Sequence, residues 1–296
     1  MIAGRDTSTA TRSPRDISRT RRGARAIALA CVMSLGLLAA SDREVAGTTA
    51  GDAATEVPVT TSRGEFSLLV YRPAPLPASQ RSDALPLVLL VSGEGGWRGF
   101  DEDVAGHLRG AGYWVGGIDA MKYFWTAQDD RQALTADMRA YGGALAAAAG
   151  SDAEATFVLA GFSFGADLAP WVAGAGGWGG RVKGLVLIGP DEEGSLEFRI
   201  MEMLGFRPKS HIFSVASALK DSAGIPAFFL HGEKDSGSAA PALAAGAGEP
   251  KKISVVPGAN HHFSGHEEEM RIALLEGVDW LRRQKPAHTE TAPHTP

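Results

Sequence analysis

The sequence predicts an α/β fold, a mostly parallel sheet flanked by helices. Short apolar runs recur along the chain, helix-like segments separate them, and Gly or Pro punctuates their ends. The run at 85–91 (LPLVLLV) lacks the polar alternation of a half-exposed strand, so it suits a strand buried on both faces of a parallel sheet. Strands alternating with helices are βαβ units, which place helices on both faces.

Taken in order, strands are expected at 57–61 and 66–71, the second closed by Pro73, Pro75 and Pro77. Buried strands follow at 85–91, 113–118, 156–160, 182–188, 225–230 and 252–256. Helices are expected at 101–110, 132–149 and 165–173, and a last one at 267–283 with apolar residues at helical spacing. The stretch 191–219 lies between the sixth and seventh strands and contains the apolar segment FRIMEMLGF, so it is expected to form a small cap helix. The domain is expected over 56–285 with no internal repeat, followed by a disordered tail at 286–296.

The beginning of the chain is of a different composition. Residues 1–25 carry seven Arg and two Asp, and an apolar run follows at 26–40. Fifteen residues fall short of the roughly 20 that span a membrane but suit a signal-peptide core. Residues 1–41 are therefore read as a signal peptide with a long basic leading region, and 42–55 as a linker. Either the pair Arg21-Arg22 serves a twin-arginine route or the true start lies downstream; an uncleaved anchor is the other reading.

Without the first 40 residues, 22 basic and 32 acidic residues remain, a net charge of −10. Such a domain is a poor non-specific nucleic-acid binder, and its charge favours a cationic over an anionic substrate group. The only cysteine, Cys31, lies inside the apolar run, so the mature domain has no thiol for a disulfide, a nucleophile or a metal site.

The chemistry concentrates in three loops. Gly161-Phe162-Ser163-Phe164-Gly165 falls between a predicted strand and a predicted helix. In that setting G-x-S-x-G forms a sharp elbow that lifts the serine hydroxyl above the sheet at a helix N-terminus. A serine nucleophile needs a base, and the base an orienting acid, in the chain order Ser, acid, His for this architecture. The stretch His231-Gly232-Glu233-Lys234-Asp235 follows the seventh strand; Asp235 has the usual spacing, with Glu233 as a weaker rival. The stretch Pro257-Gly258-Ala259-Asn260-His261-His262-Phe263 follows the eighth. The His-x-Phe arrangement favours His261 as base, with His262 as the alternative.

A metal site built on His261, His262 and His266 is disfavoured, because their spacing is not that of a helical histidine pair and no third-ligand motif accompanies them. No cofactor is called for; the glycine-rich loop lacks the Gly-Lys-Ser/Thr of a phosphate cradle. That loop, Ser92-Gly93-Glu94-Gly95-Gly96-Trp97, is expected instead to complete an oxyanion hole. Its donor would be the Glu94 N–H, with Gly93 and Gly95 as alternatives, paired with the Phe164 N–H. Trp97, Tyr123, Phe124 and Trp125 lie on loops at the same sheet edge and either line a substrate pocket or pack their loops. Asp167 either faces that pocket or serves as a first-turn acid that favours the helix dipole.

Together, Ser-Gly-Glu-Gly-Gly-Trp, Tyr-Phe-Trp, Gly-Phe-Ser-Phe-Gly-Ala-Asp and Pro-Gly-Ala-Asn-His-His-Phe resemble the AcvB/VirJ family of bacterial periplasmic proteins, over about residues 85–283. The length matches its single-domain, VirJ-like form. The resemblance implies an α/β-hydrolase fold in a periplasmic serine hydrolase that cleaves the aminoacyl ester of lysyl-phosphatidylglycerol at the membrane surface. It implies a link to virulence and to type IV secretion, with secretion-system proteins as partners. It carries the catalytic roles onto Ser163, Asp235 and one histidine of the pair His261-His262. Glu94 departs from the Asp expected in its loop. The alternatives are a general exported carboxylesterase or thioesterase and a non-catalytic periplasmic adaptor of a secretion system.

Overall fold

In the computed structural model the described residues are 54–75, 85–151, 154–197 and 211–284. The expected signal peptide, nearly all of the linker, the tail at 286–296 and the apolar cap segment at 198–206 lie outside them.

The described chain forms an eight-stranded sheet. Strands β1 (Thr55–Thr61) and β2 (Gly64–Tyr71) make an antiparallel hairpin, and β2 pairs antiparallel with β4 (Val115–Ile118). From β4 onward the order is β3 (Leu87–Val91), β5 (Phe157–Phe162), β6 (Val182–Ile188), β9 (Ala227–Gly232) and β10 (Lys251–Val256), all parallel. Every residue of β3 and β5 is buried, as expected of central strands covered on both faces.

Alternate side chains along these strands feed two cores. Leu87, Leu89, Phe157 and Leu159 join α3 (Arg131–Ala148) and α4 (Phe164–Gly174) on one face. Val88, Leu90, Val158 and Phe162 meet α1 (Gly99–Gly110) and the final helix, Glu267–Arg283, on the other. The short helix α2 (Ala120–Tyr123) is capped by Asp119, which accepts from the Lys122 N–H. No helix among the described residues is long and apolar enough to cross a membrane.

The fold expected from the sequence is present, with shifted boundaries. Strand β5 runs to Phe162 rather than 160, and β9 to Gly232 rather than 230. Both extensions complete backbone pairing with a neighbour already in register, Phe162 with Ile188 and Gly232 with Val256. Between β6 and β9, the described part of the insertion is a two-stranded ribbon of β7 (Glu193–Ser195) and β8 (Ile212–Ser214), followed by α5 (Val215–Asp221).

Candidate active site

Parallel pairing brings the ends of β3, β5, β6, β9 and β10 to one edge of the sheet, where an open α/β sheet places its ligands. Ser163 sits at that edge between β5 and α4 with φ 51°, a left-handed conformation costly for a residue with a side chain. Two close approaches enforce it. A Cβ at Gly161 would lie 2.0 Å from the carbonyl carbon of Gly165, and one at Gly165 would lie 2.0 Å from the Val91 carbonyl oxygen. The turn therefore closes only with glycine at both positions. The Ser163 N–H donates to the Ile188 carbonyl at 2.8 Å, and Phe164 begins α4 directly after it, so the helix presents its positive end at the serine.

The acid and histidine loops are tied to each other by backbone. Lys234 N–H donates to the Ala259 carbonyl and Glu233 N–H to that of Val256. His261 Nδ1 then lies 2.7 Å from Asp235 Oδ2. A carboxylate only accepts, so Nδ1 carries the proton and Nε2 is left as the basic nitrogen of the neutral ring. Burial alone raises the Asp235 pKa. The His261 hydrogen bond and charge, the Gly237 amide and the charge of His231 outweigh it and hold the carboxyl below its usual range. Gly189, at the end of β6, lies beneath this pair: a side chain there would come within 3.0 Å of His261 Cε1.

His262 is placed differently. Its ring meets Phe162 edge-on at 5.3 Å and Phe100 at 6.0 Å. Burial, and then the charge of His261, lower its pKa against the pull of Asp235. Of the two candidates, His261 alone contacts Asp235 through a hydrogen bond.

Ser163, His261 and His262 share a pocket of about 280 Å³ with Gly93, Glu94, Phe100 and Asp101. A Cβ at Gly93 would stand 3.5 Å from the Ser163 Cβ, so the glycine-rich loop passes beside Ser163, the position an oxyanion loop would take. Trp97 anchors that loop. Its ring lies against Gly117 of β4 and its Nε1–H donates to the Tyr71 hydroxyl at 3.1 Å. Trp97 and Trp125, the latter 49 % exposed, line a neighbouring open groove of about 670 Å³ with Arg98 and Lys122.

Three of the residues considered for pocket lining pack into the core, the other reading left open for the two aromatics. Tyr123 and Phe124 are fully buried; Tyr123 donates its hydroxyl to Asp137 at 2.5 Å, and Phe124 packs edge-on against Phe164 at 5.0 Å. The cause is α2, one turn of helix that rotates both rings inward while Trp125 remains outside. Asp167 is buried too and accepts the Asp191 N–H at 2.8 Å, so it ties the start of the β6–β9 insertion to α4. Sequence reasoning missed Gly189, Phe100 and Asp101; the glycine ending a strand (Ile188-Gly189-Pro190) was the one available signal.

Sheet order, elbow and loop placement define the α/β-hydrolase class, and solved structures share the fold. Est1E from Butyrivibrio proteoclasticus aligns with a TM-score of 0.54 at 15 % identity, covering 77 % of this chain and 99 % of its own. Dienelactone hydrolase from Anabaena variabilis gives 0.55 at 18 %, covering 77 % and 96 %. An α/β serine hydrolase without lid from Xanthomonas campestris gives 0.51 at 20 %, covering 79 % and 97 %. Among curated proteins no sequence matches. The family profile of the bacterial virulence protein (VirJ) matches residues 85–282, and the chain belongs to the VirJ family.

Proposed function

We propose that this chain is a serine ester hydrolase whose substrate is an aminoacylated phospholipid, lysyl-phosphatidylglycerol, met at the periplasmic membrane surface after export. The observation that carries the hydrolase reading is the 2.7 Å contact between His261 and Asp235 in the pocket of the left-handed Ser163. The substrate and the compartment rest on the VirJ membership, the signal-like N-terminal sequence and the acidity of the remaining chain.

Ser163 Oγ attacks the ester carbonyl carbon while His261 Nε2 takes its proton; Asp235 holds the tautomer and stabilises the imidazolium. The N–H groups of Phe164 and Glu94 receive the oxyanion. Collapse of the tetrahedral intermediate breaks the bond to the lipid alcohol, which takes the proton from His261. Water, deprotonated by His261, then attacks the lysyl-enzyme ester and releases lysine and free Ser163. Replacing Ser163 by Ala should lower hydrolysis of lysyl-phosphatidylglycerol at least about 10³-fold, followed by lipid chromatography of the reaction. A variant with wild-type turnover would end the proposal. Wild-type cleavage of short esters with none of the lipid would point to a general carboxylesterase instead.

A further inference from the structure

The pocket beside Ser163 has an unusual wall. At about 280 Å³ it lies just below the usual 300–1,000 Å³ of small-molecule sites, so it admits a short acyl group. Two of the residues lining it are carboxylates, Glu94 and Asp101. Asp101 is almost wholly buried, and its Oδ2 accepts the Arg98 N–H at 3.1 Å. Its Oδ1 is shut from solvent and has no hydrogen-bond partner among the described residues. Buried carboxylate oxygens are nearly always paired, so a bare one behind the wall of a pocket leaves its negative charge there unanswered.

Little positive charge nearby answers these two acids. Arg98, on the pocket's edge, is exposed to solvent and its Nε is engaged by the Gly95 carbonyl at 2.5 Å. His262 is held towards its neutral form by burial and by the charge of His261. Asp167, the other acid considered for this pocket, is buried and accepts the Asp191 N–H.

We propose that Glu94 and Asp101 make this pocket select an ester whose acyl group carries positive charge, as an aminoacyl group does. The proposal rests on Ser163 being the nucleophile. Glu94, half-buried on the wall, meets the ammonium, while Asp101 acts behind it across a short gap. A concave wall of one sign concentrates a field on the space it encloses, and exclusion of water keeps that field from being screened. An entering ammonium thereby meets negative charge that no neighbouring cation has already neutralised, in contact with Glu94 and through the field of Asp101. Both side chains determine specificity and take no part in bond making; the oxyanion role of Glu94 belongs to its backbone N–H, which Glu94→Gln retains.

The test uses the full chain and three ethyl esters of one chain length: lysine (two ammonium groups), norleucine (one) and hexanoic acid (none). The wild-type kcat/KM should fall in that order. Glu94→Gln and Asp101→Asn should each reduce the ratio of lysine to hexanoate kcat/KM at least tenfold, mainly through KM. Because the ratio is taken within one protein, a smaller folded fraction cancels out. A wild-type ratio near one, or a ratio unchanged in both variants, overturns the proposal while leaving the nucleophile intact. Ser163→Ala with undiminished cleavage of all three esters would instead overturn the assignment of Ser163.

Discussion

Asp137 and Asp101 occupy helices on opposite faces of the sheet and are buried to the same depth, at 4 % and 3 % exposure. Around Asp137 the chain supplies three donors: the Ser62 N–H and Oγ at 2.7 Å each and the Tyr123 hydroxyl at 2.5 Å. Around Asp101 it supplies the Arg98 N–H and leaves one oxygen bare. Burial pushes the Asp101 pKa up to about 6. Asp119 adds to that; the Arg98 amide, which makes the one hydrogen bond, and the nearby Asp101 and Gly93 amides, which fall outside hydrogen-bond geometry, pull against it. Depth is therefore no guide to purpose. The satisfied acid fastens the β1–β2 hairpin and α2 to α3, whereas the unsatisfied one stores electrostatic strain in the wall of the Ser163 pocket.

Three stability measurements by chemical denaturation would test this contrast. Asp137→Ala should be the most damaging, by about 3 kcal/mol, because it strands the buried Tyr123 hydroxyl and opens a void. Asp101→Asn should do the reverse and stabilise, by about 3 kcal/mol at neutral pH, since each pKa unit corresponds to about 1.4 kcal/mol. The sign follows from a folded pKa of about 6 above the ordinary 3.8. The stabilising contribution of this group is complete below about pH 4 and is lost as pH rises through 6. The advantage of Asn should accordingly vanish at pH 4 and reach its plateau above pH 7; a pH-independent difference would remove the contrast. Ser62→Ala should have the smallest effect, about 1 kcal/mol or less, because Ser62 is exposed and water replaces its contact with Asp137.

Asp137 and Asp101 also show where reading the sequence stopped. Neither was identifiable as a buried acid, since the partners of Asp137 come from 75 and 14 residues earlier in the chain. In the run Tyr123-Phe124-Trp125 the first two rings are buried and the third is exposed, because a single helical turn sets their direction, and one turn leaves no periodic trace. The central strands were legible for the opposite reason: a strand buried on both faces must be apolar at every position, as β3 is.

By itself the sequence determined the parallel α/β architecture, the serine elbow and the chain order of serine, acid and histidine. Each is a local pattern with a local cause: burial on two faces, or glycines that a turn cannot replace. Tertiary structure alone decided which adjacent histidine reaches Asp235, which aromatics face the pocket, and that Asp101 lines it with one oxygen bare. Those outcomes depend on how elements far apart in the chain meet. Neighbours such as His261 and His262 are chemically identical, and both pack against Phe162, until the fold gives one of them a carboxylate partner.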